Sequence, residues 1–198
     1  MAETSNRTDE PVLGRPRSES ARRAVLNAVD DMLVEHGYAA LTLKGIAEQA
    51  GVGRQTIYRW WSTKAEILHE ACVQDAATEL AVPLTANPVA VVSNYLAAVV
   101  QFLTQSAAGA AYRALLGEAQ HDSAVAELLR GEDALVASAV PVIAHVLGDG
   151  TVPGAVVDEE LVADLLGPTV FPILTGAKAS TKAQLRERAS RFVDRCRS

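Results

Sequence analysis

Residues 51–64, GVGRQTIYRWWSTK, gather side chains whose types and spacing can do chemistry. Arg54 and Arg59 carry planar guanidinium forks that can bridge O6 and N7 of guanine. Gln55 offers an amide that can pair with adenine, and the Thr56 methyl can touch the methyl of thymine. Tyr58 and the Trp60 indole N–H are donors for phosphate oxygens, and Lys64 adds a charge close by. The chain holds only two tryptophans, four tyrosines and three phenylalanines, yet Tyr58, Trp60 and Trp61 fall within four positions. A core explains one or two of them, and a surface meeting nucleic acid explains the others. Taken singly, each polar residue here is an ordinary solvated one, so the combination carries the signal.

Other chemistries find little support. There is no GxSxG, HExxH, Walker loop or dinucleotide fingerprint. His69 and Cys72 stand three apart, but two ligands without a third or fourth nearby do not make a metal site, and no cofactor is expected. Cys72 and Cys196 form no CxxC pattern and fit a reducing compartment. The opening residues lack an apolar leader, and the run 88–102 is broken by Ser93, Asn94 and Gln101 and reads as too short to cross a bilayer. These features predict a cytoplasmic protein with no membrane partner.

The elements that would position residues 51–64 follow from periodicity. Residues 19–36 place Val25, Ala28, Val29, Met32 and Leu33 on a 3.6-residue stripe that stops at Gly37. A short helix follows, capped by Thr42, with Gly45 where a capping box would need Glu. A third helix over 53–61 turns Ile57 and Trp61 inward and Gln55, Thr56 and Arg59 outward. Joined by Gly51-Val52-Gly53, the second and third helices make a helix-turn-helix in a three-helix bundle. Further helices are expected at 64–80, 89–106, 111–121, 123–129, 132–147, 159–174 and 181–196. Pro168 and Pro172 are expected to kink or interrupt the penultimate one.

Charge is divided unevenly along the chain, whose net charge is −6 over 198 residues. Residues 13–64 hold eight Lys/Arg against five acids, whereas residues 73–177 hold twelve acids against Arg113 and Arg130 alone. The front can approach phosphates and the middle repels them, which suggests two jobs.

Residues 41–68, LTLKGIAEQAGVGRQTIYRWWSTKAEIL, closely resemble the DNA-binding signature of the tetracycline-repressor (TetR) family of bacterial transcriptional regulators. The matching skeleton is Leu41-Thr42, Ile46-Ala47, Ala50-Gly51-Val52, Thr56-Ile57-Tyr58, Trp61, and Lys64 before Leu68. RALLGEAQHD, residues 113–122, is similar to a stretch common in actinobacterial-type members. The resemblance implies an all-α fold: a flexible arm at 1–17, a helix-turn-helix domain at 18–64, and a larger helical effector-binding and dimerisation domain at 65–198. Carried over by position, the family's DNA contacts fall on Lys44, Arg54, Gln55, Thr56, Tyr58, Trp60 and Lys64, with Arg59 added by the helical face. Gly53 departs from the common serine cap, and Trp60 stands where His or Tyr is frequent. In the arm, Pro16 would hold Arg15 and Arg17 extended for an A·T-rich minor groove, or the segment is simply a solvated basic tail.

Family members are homodimers whose C-terminal domain binds a small ligand. Leu185, Ala189, Phe192 and Val193 share one stripe of the last helix, and Leu161, Leu165, Val170 and Leu174 lie on the one before. Two such helices per subunit can build an isologous four-helix interface, and packing within the same chain is the competing reading. Tyr95, Phe102, Tyr112 and Phe171 lie on helices that surround the family's cavity, with Glu118, His121 and His145 as polar candidates. The scarcity of aromatics predicts a mostly aliphatic cavity and a lipophilic effector. The expected function is a homodimeric repressor on a pseudo-palindromic operator, released by an apolar effector. The alternatives are a constitutive regulator or activator without a ligand, and an enzyme or carrier with an inert DNA segment.

Overall fold

The computed structural model describes residues 15–148 and 159–197, and every regular element among them is helical. Helix α1, Arg15–His36, buries Val25, Ala28, Val29 and Leu33 along the expected stripe and ends at Gly37. It begins four residues earlier than its periodicity indicates, so residues 15–17 form its first turn and not an extended arm. Pro16 fits there because a first-turn N–H has no intrahelical acceptor and the ring already fixes a helical φ. The rest of the arm, 1–14, lies outside the described residues.

Helix α2, Leu43–Gln49, is capped by Thr42, whose Oγ1 accepts the Gly45 N–H at 3.0 Å. Gly51 then takes a φ of 64°, a left-handed conformation that costs glycine little, and turns the chain into α3, Arg54–Tyr58. Gly53 gives α3 no side-chain cap, and the helix is shorter than expected. Its last turn persists as a tightening in which the Trp60 and Trp61 N–H groups both reach the Ile57 carbonyl. Thr63 caps α4, Lys64–Glu79, by accepting the Glu66 N–H.

The larger part comprises α5 (Pro88–Gln105), α6 (Ala107–Glu118), α7 (Ser123–Gly131), α8 (Ala134–Leu147), α9 (Glu159–Leu174) and α10 (Lys182–Cys196). Asn87, Ser106, Asp122, Asp133 and Thr181 cap α5, α6, α7, α8 and α10 in turn, so polar side chains set most of these boundaries. Ser106 ends α5 and caps α6 at once, which starts α6 four residues before the expected point. Gly109 makes that turn possible: a Cβ there would fall on the Phe102 carbonyl. Helix α9 is continuous through Pro168 and Pro172, where a kink or an interruption was expected, so the two prolines do not interrupt it.

Helix α5 is long and apolar enough to cross a membrane by length and composition, against the expectation for its sequence. It serves instead as the central helix, packed by α6, α8, α9 and α10, with Tyr95, Leu96, Val99 and Phe102 fully buried. Helix α4 joins the two ends of the molecule, since it packs on α1 as well as on α6, α7 and α8.

Candidate nucleic-acid interface and the cavity behind it

The recognition segment is held from behind. Ile57 is 1% exposed and Trp61 3%, and both join a core with Leu41, Ile46 and Val29. The Trp61 Nε1–H donates to Glu70 Oε2 at 2.9 Å, and the same oxygen lies 2.9 Å from Arg22 Nη2. One carboxylate of α4 therefore ties α1 to Trp61, three residues past the end of α3. Nothing in local spacing announces this bridge, because Arg22 and Glu70 are far apart in sequence.

With Ile57 and Trp61 fixed, the outer side follows from helix geometry. Arg54, Gln55 and Arg59 are exposed, Tyr58 is 56% exposed, and Thr56 is half-buried. The Arg59 guanidinium lies 4.8 Å from the Trp60 ring centre, and Trp60 packs edge-on against Trp61 at 5.4 Å. Trp60 thus acts as a platform that stiffens Arg59. Lys44, on α2, is exposed and sits 3.7 Å from Glu48 one turn on.

Lys64 is placed differently from the expectation of a phosphate contact. Its Nζ donates to the Tyr38 carbonyl at 2.9 Å and sits 4.2 Å above the Tyr38 ring. That position locks α4 to the turn after α1, and the ammonium's hydrogen bonding is partly spent inside the protein. Arg15 and Arg17 lie in the first turn of α1, away from any extended arm.

A cavity of about 800 Å³ opens between α6, α7, α8 and α9. Its wall is largely aliphatic, with Leu129, Leu135, Val136, Val162, Leu166 and Val170, together with Tyr112, Phe171 and Leu174. Glu132, Asp133, Glu159 and Arg130 supply the charged lining. The Tyr112 hydroxyl donates to Asp133 Oδ2 at 2.9 Å, while Asp133 Oδ1 caps α8 through the Leu135 and Val136 N–H groups. Burial and the neighbouring Asp133 charge push the Tyr112 hydroxyl pKa upward, so it stays a donor.

Of the expected cavity residues only Tyr112 and Phe171 line this space. Tyr95 and Phe102 are consumed by the core around α5, where the Tyr95 hydroxyl meets Ser138 Oγ at 2.8 Å and Phe102 packs near the Tyr112 ring. Glu118 borders a separate cleft with Tyr38 and Lys64, His121 is exposed beyond the end of α6, and the His145 ring contacts the Thr85 carbonyl. These four helices leave their void one layer away from the inner face of α5, a displacement that periodicity alone does not reveal.

The expected dimer stripe also turns inward. Leu165, Leu185, Ala189, Phe192 and Val193 are buried within this chain, because α9 and α10 both pack on α5. Leu161 and Val170 are half-buried, and Leu174 is 44% exposed beside Phe171 at 69%.

At the junction of the two ends, Asp30 of α1 has a buried Oδ1 with no hydrogen-bond partner. Burial, reinforced by Asp75, Asp31 and Glu79, raises its pKa to about 7. Cys72 nearby is buried, donates to the Ala108 carbonyl at 3.4 Å, and has its pKa pushed up to about 12, so it is an inert thiol.

Residues 25–71 match the family model for bacterial regulatory proteins of the tetR family. The HTH-type transcriptional regulator YdeS of Bacillus subtilis (strain 168) is 38% identical over 117 residues, 59% of each chain. Rv1556, an HTH-type transcriptional regulator of Mycobacterium tuberculosis (strain ATCC 25618 / H37Rv), is 29% identical over 87 residues, 44% of this chain and 41% of that one. The chain thus spans less than two thirds of these relatives' length. Among solved structures, the TetR family transcription regulator SCO0332 superposes with a TM-score of 0.72 at 26% identity, covering 88% of this chain and 97% of the other. GusR of Salmonella enterica shares the fold, with a TM-score of 0.60 at 19% identity, covering 93% of this chain and 96% of its own. A helix-turn-helix held by Glu70, a cavity-bearing helical body and these likenesses point the same way: residues 25–71 match the tetR family of bacterial regulatory proteins, and the described chain shares the fold of a solved TetR family transcription regulator.

Proposed function

We propose that the protein is a cytoplasmic DNA-binding repressor that acts as a homodimer and is released by a small lipophilic effector. The observation that carries this reading is the outward side of α3, where Arg54, Gln55 and Tyr58 stand exposed on a rod anchored by Ile57 and Trp61. Two such rods, one per subunit, enter successive major grooves of a pseudo-palindromic operator, roughly 34–36 Å apart. The acidic body stays clear of the phosphates. The cavity bounded by α6 to α9 is of a size that suits a small molecule, and its aliphatic wall selects an apolar one. An effector that fits a conformation with mismatched rods lowers operator affinity by its differential binding to the two states.

Selection of bound sequences from random duplexes tests the reading. The expected product is a two-fold symmetric site with half-sites one helical turn apart, bound by two chains. Recovery of no preferred sequence at low ionic strength would overturn it. A panel of apolar compounds screened by thermal shift tests the effector, and binding that leaves operator affinity unchanged would favour a constitutive regulator.

A further inference from the structure

The wall of the large cavity is apolar but not neutral. Beside its aliphatic residues stand Glu132, Asp133 and Glu159, and Arg130 is the only cation among the described lining residues. The Arg130 guanidinium is engaged 4.0 Å away by Glu127 of its own helix. Among the described residues no ion pair reaches Glu132, Asp133 or Glu159. Asp133 is half-buried, and its donors are the Tyr112 hydroxyl and the Leu135 and Val136 N–H groups, all neutral. They fix the carboxylate in place, while the N-terminus of α8 offsets roughly half a charge at most. The remaining charge is felt by its neighbours: after burial itself, Asp133 helps to push up the Tyr95 and Tyr112 hydroxyls and the Cys72 thiol. Its Oδ2 accepts from Tyr112 and keeps a further lone pair.

We propose that the occupant of this cavity is a lipophilic cation, an apolar body bearing a protonated amine or quaternary ammonium group that settles beside Asp133 and Glu132. The inference rests on the cavity being the effector site and narrows the chemistry of that effector. A neutral apolar ligand covers the aliphatic wall but leaves a carboxylate facing a space emptied of water, which is costly. A carboxylate ligand brings a like charge to the same place. A cation covers the wall and pairs with the acids where they are screened less than in water. The Tyr112 and Phe171 rings, which also line the space, present faces that favour a cation over an anion.

Three probes that share one apolar body and differ in charge test this: para-biphenylmethylamine, para-biphenylmethanol and para-biphenylcarboxylate, each titrated into the full chain by calorimetry at neutral pH. The amine is expected to bind about tenfold more tightly than the alcohol, the size of one charge-assisted contact, and the carboxylate more weakly than either. The advantage of the amine should shrink at high ionic strength, and the alcohol should not respond. Asp133→Asn removes the charge but keeps the helix cap, because Asn caps as well as Asp, and keeps an acceptor for Tyr112. In this variant the amine should lose most of its advantage while the alcohol binds as before.

Equal affinity for amine and alcohol, a preference for the carboxylate, or binding of none of the three overturns the proposal. So does an Asp133→Asn chain in which the amine keeps its full advantage. If Asp133→Asn does not fold, Glu132→Gln at an exposed position must lower amine affinity and spare the alcohol, and an unchanged amine affinity there overturns the proposal equally. Operator binding separates this inference from the reading beneath it. Amine that binds preferentially without weakening operator affinity overturns the release mechanism and leaves the ligand class standing, whereas equal binding and equal release by amine and alcohol do the reverse.

Discussion

Helices α3 and α10 carry the same kind of apolar stripe and use it differently. In α3, Ile57 and Trp61 close a small bundle with α1 and α2, and nothing among the described residues covers the opposite side, so Arg54 and Gln55 stay exposed. In α10, Leu185, Ala189, Phe192 and Val193 are covered by α5 of the same chain, and the polar side is what remains for any partner. An apolar stripe states that a face will be covered; it does not state by what. For α3 the tight Gly51 turn leaves a single geometry. For α10 the covering helix is α5, remote in sequence and apolar nearly all round, and it competes with a second subunit for the same stripe.

The comparison breaks most sharply at Phe192. Buried inside the chain, it should cost about 3–5 kcal/mol when replaced by alanine. The loss of melting temperature should be the same across a hundredfold range of protein concentration. A loss that shrinks as concentration rises would mean the stripe is shared between subunits, because mass action then stabilises the folded form.

The second contrast is between shape and recognition. Arg54→Ala and Gln55→Ala should each lower discrimination at one base pair by about 1–3 kcal/mol. Both residues are exposed, so stability should stay within roughly 0.5 kcal/mol of the parent. Binding to matched and mismatched operators, measured beside thermal melts, separates the two effects. Equal weakening on every sequence would remove Arg54 and Gln55 from base reading.

Legibility followed the range of the interactions. The bundle, the Thr42 and Thr63 caps, and the inward pair Ile57 and Trp61 depend on neighbours within a turn or two, and the residue pattern contains them. The helical body was legible as a series of amphipathic segments with polar caps. Its void was not, because Tyr95 and Phe102 fill the inner face of α5 while Leu129, Val136 and Leu166 line a space formed by four separate helices. The bridges made by Glu70 to Trp61 and Arg22, and by the His69 ring to the Glu132 carbonyl, were equally hidden. Each joins groups whose approach depends on how whole helices pack, and no spacing rule reports that.

Asp30 sharpens the comparison at the junction of the two regions. Its pKa is raised from the usual carboxylate range to about 7. The native state therefore holds a proton that the unfolded chain releases, and the associated stability is complete below pH 4 and lost as pH rises through about 7. Asp30→Asn removes the titration. The variant should match the parent near pH 4 and exceed it at pH 8 by on the order of 1 kcal/mol, allowing for partial solvent screening. Denaturation at a series of pH values checks this, and a variant less stable than the parent at pH 8 would show that the Asp30 charge is favourably held.

Lys64 offers the finest test, because its position allows two roles with different signatures. A lysine on phosphate contributes to the salt dependence of binding, and its removal flattens the slope by about one counterion. A lysine donating to the Tyr38 carbonyl and seated over the Tyr38 ring instead holds the start of α4 against the turn after α1. Its removal leaves that carbonyl without its charged donor and costs about 0.5–1 kcal/mol of stability. The geometry favours the second role, so Lys64→Ala should lower the melting temperature while the slope of log affinity against log salt stays that of the parent. Lys44→Ala is the control, since Lys44 is exposed on α2 and pairs with Glu48 at 3.7 Å. If Lys64→Ala flattens the slope as an exposed phosphate ligand does, the ammonium leaves Tyr38 when DNA binds, and the division between anchoring and contacting residues in the head must be redrawn.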